Sequence, residues 1–171
     1  MKVVLAVILA VAFSAAGVRS NQHVHQPAAS QSAAATSALS AEAVQQLLNG
    51  DGMGLAKPAE MNGYAGPKHV QELKTELAIT LEQERQVEAI RQRMLTQATA
   101  LGQQIVEAER ALDAAFKEGR MTPTELSTRV AAIARLQGDL RLVHLQAHLE
   151  TRPVLTDAQT RKYYELRSKH H

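Results

Sequence analysis

Cysteine and tryptophan are absent from the 171 residues, glycine numbers nine, proline five, and the aromatics are two Phe and three Tyr. Each scarcity excludes a class. Without cysteine there is no disulfide framework, no thiolate nucleophile and no cysteine-ligated zinc or iron–sulfur centre. Five scattered aromatics make no stacking platform for single-stranded nucleic acid. Neither sign of charge dominates, with 19 Lys+Arg against 17 Asp+Glu, whereas phosphate binding needs clustered surplus cations. Nucleic acid is therefore not an expected partner. No serine stands with a histidine and a carboxylate at an interpretable spacing, and no glycine-rich phosphate loop occurs, so nothing points to an enzyme. What is abundant is alanine, 29 residues, and glutamine, 15. Rich in Ala, Leu, Gln, Glu and Arg, the chain predicts helix, because those side chains lose little rotamer freedom there. Its length allows one domain plus appendages.

The N-terminus reads as an export signal over residues 1–17. Met1-Lys2 precedes an apolar run from Val3 to Phe13, which ends in Ser14-Ala15-Ala16-Gly17. This is the pattern of a secretory signal peptide with cleavage after Ala16 or Gly17. An uncleaved anchor is the alternative, although the run falls short of the roughly 20 residues that cross a bilayer comfortably. Residues 18–66 are expected to be a flexible linker: Ser20 to Ser40 is polar, small and without apolar period. Ala41 to Asn49 could form a short helix with Ser40 as N-cap and Gly50 as stop. Gly54 to Pro67, with two prolines and three glycines, reads as an ordered loop or a spacer. The folded domain is expected over 67–171.

Three capping patterns punctuate that domain: Thr80 with Gln83, Thr122 with Glu125, and Thr156 with Gln159. Pro123 sits at the favoured first helical position. They predict helices starting near 81, 123 and 157, after an earlier helix from about Lys68 to Ala78. The helix from Leu81 to about Glu118 carries a sustained apolar stripe: Val87, Ile90, Met94, Ala98, Leu101, Ile105, Ala108, Leu112 and Ala115. The next, Pro123 to about Arg152, presents Leu126, Val130, Ile133, Leu136, Leu140, Val143 and Ala147. The short Gly119–Met121 turn should set the two antiparallel. The expected fold is all-α: a hairpin of two long helices with short flanking helices. Leu142, Leu145 and Leu149 lie off the second stripe, so that helix must touch something else, either the terminal helices or a second subunit. A thin core without disulfides favours a homodimer.

Ile79-Thr80-Leu81-Glu82-Gln83 and Leu155-Thr156-Asp157-Ala158-Gln159 resemble the Leu-Thr-x-x-Gln motif of the periplasmic Spy/CpxP family, the first with Ile for Leu. The stretches His144–Thr156 and Asn62–Val70 resemble its heavy-metal sensor and resistance subgroup, the CnrX- and ZraP-like proteins. The resemblance covers residues 62–168. It implies an all-helical, usually dimeric cradle in the periplasm. It also implies work as an ATP-independent chaperone, a stress regulator or a metal sensor. Partners so implied are unfolded periplasmic proteins, or a membrane sensor or anti-sigma protein.

His144 and His148 are the sharpest chemical feature. Four apart on a helix, they share a face. At 100° per residue they fall about 40° apart and continue the Leu126–Leu140 stripe, away from solvent. Folding the hairpin at Gly119–Thr122 brings Met94 of the facing stripe close to the level of His148. His69 comes near the same level if its helix folds back. Such a set could hold zinc, copper, nickel or cobalt, and the resemblance implies a mixed His/Glu/Met site. Hydrogen bonding to Gln, Glu or backbone is the competing role for the pair. Leu145, not Glu, follows the first histidine, which excludes the zincin pattern. His23, His25, His170 and His171 lie in expected flexible ends, where metal binding would be loose. Met53, Met61 and Met121 read as filling, and Tyr163-Tyr164 as packing for the last helix.

Two functions stay in contention. One is a periplasmic binding protein, a holdase-like chaperone or a stress or heavy-metal response protein. The other is a dedicated divalent-metal sensor built on His144 and His148. A helical envelope protein without ligand is a third reading.

Overall fold

Every regular element among residues 35–168, the part of the chain that the computed structural model describes, is helical, and no strand occurs there. The expected export signal, most of the polar run after it and His23, His25, His170 and His171 lie outside the described residues. In order, the elements are α1 (Ala41–Asn49), α2 (Lys57–Met61), α3 (Pro67–Glu72), α4 (Leu81–Lys117), α5 (Pro123–Thr151), a 3-10 turn (Arg152–Val154) and α6 (Asp157–Ser168). Among the described residues no helix is long and apolar enough to cross a membrane.

Helix starts follow the capping chemistry. Thr80 accepts from the Gln83 backbone N–H while the Gln83 side chain accepts from the Thr80 N–H, a reciprocal box. Thr156 and Gln159 form the same box at α6. At α5 only half of the pattern is used: Thr122 accepts from the Glu125 N–H, but the Glu125 carboxylate turns to Arg129, a charge-assisted partner.

The motif glutamines also reach across the fold. Gln83 Nε2 donates to the Val154 carbonyl and to Gln159 Oε1, both at 2.8 Å. Gln159 Nε2 donates to the Leu77 carbonyl at 3.1 Å. One pair of amides thus ties the start of α4, the start of α6 and the turn before Thr80. Replacing Gln83→Ala removes a cap and these bonds together, and should cost about 2 kcal/mol. Urea unfolding measures it, and the loss should be less than additive with Gln159→Ala.

α5 folds back along α4. Arg93 of α4 meets Glu150 near the end of α5 at 2.7 Å, and Ile105 and Val106 share a core with Leu140. The α4 stripe is buried or half-buried throughout. Val130 departs from the expected α5 stripe and is exposed. It lies at the stripe's edge, where none of the described elements covers it, whereas loop residues cover that edge at His148.

Two boundaries differ from expectation. The packed part begins well before Pro67: Val44 and Leu47 of α1 are buried against Ala98, Ile105, Val106 and Leu140, with Leu39 and Leu55 beside them. Branched apolar side chains three apart give α1 one core-seeking face, and Gly102 lets α1 approach α4 closely. The helix expected from Lys68 to Ala78 stops at Glu72. The chain must reverse there to feed the Thr80 cap, which it does through Ala78 at φ +49°. Leu73, Leu77 and Ile79 instead pack with Ala65, Val70, Val87, Leu155 and Tyr163 in a second core.

Candidate functional site

His144 and His148 extend the buried face of α5 by one and two turns beyond Leu140. They are 3% and 6% exposed. Both line a cavity of about 270 Å³, together with His69 from α3, Met94, Leu95 and Arg91 from α4, Glu60 from α2, and the Gly50–Gly54 loop. His69, Met94, His144 and His148, far apart in the chain, therefore meet at one place.

The rings are held differently. His148 Nδ1 lies 2.7 Å from the Tyr64 carbonyl, which can only accept, so Nδ1 carries a proton, and in the neutral ring the lone pair is then on Nε2. That Nε2 is 4.0 Å from Glu60 Oε1. His69 Nδ1 is also 4.0 Å from Glu60 Oε1, and 3.4 Å from the Tyr163 hydroxyl. Burial pushes the Tyr163 hydroxyl up to about 12, so it stays neutral beside the ring. Arg167 approaches the other Glu60 oxygen at 3.9 Å. His144 Nε2 is buried and has no hydrogen-bond partner among the described residues. A buried ring nitrogen without a partner is costly.

Gly66 allows this packing. A Cβ there would stand 2.7 Å from His148 Cε1 and 2.8 Å from Nε2. Gly52 lies close to His144, where a Cβ would sit 3.7 Å from Nδ1.

Burial holds His144 below the ordinary histidine range, aided by neighbouring His148 and opposed by Asp51. Burial likewise lowers His69, with Glu60 and Glu72 opposing and Arg167 and His148 assisting. Both rings are thus neutral at neutral pH, the state that donates a lone pair to a metal. The consequence for stability has a definite sign. Below the ordinary value of 6.5 the unfolded chain takes up these protons before the folded one. Stability should be complete above that pH and decline as pH falls through the lowered folded values. Urea midpoints of the metal-free chain should drop between pH 7.5 and 5.5 with unchanged slope, and His144→Gln should shrink the drop.

Glu60, Asp51, the Tyr64 carbonyl and Gly66 were not expected from sequence. Asp51, Tyr64 and Gly66 lie in loops and Glu60 in the short α2, none with an apolar period to mark it. As the side chains stand, no group of three or more His, Asp or Glu among the described residues is arranged to hold a metal ion. The motif residues Thr80, Gln83, Thr122, Glu125, Leu155, Thr156 and Gln159 serve capping and packing, away from the cavity. No family model matches this chain, nor does any curated protein or any solved structure.

Proposed function

We propose that the chain is an exported, non-enzymatic protein of the Spy/CpxP-like kind that binds a divalent metal in the His144–His148 cavity and acts as a sensor or buffer for it. One observation carries the reading. Three imidazoles and a thioether from three helices converge on one cavity, with a carboxylate between two of the rings. The donor chemistry fits zinc, copper, nickel or cobalt, which prefer imidazole and accept thioether, over calcium or magnesium, which demand oxygens. The orphaned His144 nitrogen, and the lone pair that a neutral His148 carries on Nε2, support the same reading. Two donors sharing one tetrahedral ion with bonds near 2.1 Å stand about 3.4 Å apart. The two 4.0 Å gaps at Glu60 need to close by only about half an ångström each on that basis.

Ligation would draw α2 and α3 against α5. Closure of that kind is the differential contact through which a ligand shifts a conformational equilibrium. It could be read by a membrane sensor or anti-sigma partner. The antiparallel hairpin would then work as one half of a cradle-like homodimer, paired through Leu142 and Leu149, which are 51% and 60% exposed. In the wider reading these leucines and Val130 serve as a shallow surface for unfolded envelope proteins, held without ATP. Suppression of client aggregation at several-fold excess of the chain tests that role, and no effect argues against it.

Calorimetry with zinc, copper, nickel and cobalt tests the metal reading. The expected result is one site per chain, tighter than about 10 μM and at least 100-fold weaker in His144→Ala/His148→Ala. Equal affinity in the double variant would assign the binding to the terminal histidines and end the proposal.

A further inference from the structure

The cavity holds far more than an ion. At about 270 Å³ it exceeds several-fold the space that a single water needs. Its charges are balanced without metal. Asp51 and Glu60 supply two negative groups, Lys68 and Arg91 two positive ones, and the sum is zero. A divalent ion alone would leave this half-enclosed space at +2, and uncompensated charge in such a place is expensive. Both cations line the cavity with the donors, Lys68 from α3 and Arg91 from α4. Among the described residues Lys68 pairs with Glu72 at 3.9 Å, with both side chains largely exposed, a pairing of little strength. Arg91 is half-buried, and its planar fork matches a carboxylate.

We propose, resting on the metal reading of this cavity, that the metal enters as a complex with a small organic carboxylate, whose anionic groups face Lys68 and Arg91. The histidines and Glu60 supply protein donors to the ion. The two cations neutralise the accompanying anion and discriminate against a bare aquo ion, which they repel.

Equilibrium dialysis of the purified chain at one buffered free-nickel activity, without additive and with citrate, malate or histidine, tests this. At least one carboxylate is expected to raise nickel uptake tenfold and to be retained in equal amount with it. In K68Q/R91Q, with helicity unchanged by circular dichroism, that enhancement should vanish while uptake of nickel alone holds or rises, since the repulsion is gone. Equal uptake with and without every carboxylate, with none retained, would overturn the inference and leave the metal site standing. No nickel uptake under any condition would overturn both.

Discussion

Gly102→Ala should destabilise the chain by about 3 kcal/mol, although helix propensity alone would have it gain about 1 kcal/mol. Gly102 lies in the middle of α4, and a Cβ there would stand 2.0 Å from the Leu47 carbonyl oxygen and 2.6 Å from its carbon. These are backbone atoms of α1, so no side-chain rotation relieves the clash and the whole helix must move away. Gly50, at φ +69°, presses the end of α1 onto Thr99 in the same way, with a Cβ position 3.0 Å from the Thr99 hydroxyl. What α1 would lose is the burial of Val44 and Leu47, each worth about 1.5–3 kcal/mol when complete. Stability of a domain totals only about 5–15 kcal/mol, so the effect should be plain in a urea titration. Hydrogen exchange should show loss of protection over 41–49 with α4 and α5 retained. An unchanged or raised midpoint would mean that α1 does not pack on α4 as described.

The second large effect is expected at Gly66. Gly66→Ala forces the His148 ring off the Tyr64 carbonyl, because the added Cβ overlaps the ring at Cε1 and Nε2. A buried ring N–H stripped of its acceptor costs about 1–3 kcal/mol. On the metal reading the same shift misaligns His148 Nε2 with Glu60 and should weaken metal binding at least tenfold. The pair can be separated from a general backbone effect. In a His148→Ala background the ring is gone, so Gly66→Ala should then cost little, giving a clear coupling between neighbours. Equal cost in both backgrounds would place the fault in the loop and not at the histidine.

How far the chain could be read in advance follows from where period exists. The starts of α4, α5 and α6 were legible at Thr80, Thr122 and Thr156, because a cap is a local pattern. The inward aim of His144 and His148 was legible as well, since both continue a helical stripe. The role of Gln83 and Gln159 was only half legible. Their capping is local, but their mutual hydrogen bond spans 76 positions and leaves no local trace. Gly102 reads in sequence as a weak point of a helix, and only the neighbouring α1 gives it a reason. Glu60 and Asp51 sit between glycines and prolines without period, so nothing in their surroundings sets them apart from other surface acids. The cavity joins one periodic wall with one aperiodic wall, and only the first could be read.

Histidine-ring nitrogen NMR with and without zinc tests the central claim most directly. In the metal-free chain His148 should appear as the Nδ1–H tautomer held by the Tyr64 carbonyl. On adding one equivalent of zinc, the nitrogens of His148, His144 and His69 should shift together as lone pairs are taken up, while His23, His25, His170 and His171 stay unchanged. Shifts confined to those terminal histidines, with the three cavity rings unmoved, would contradict the account.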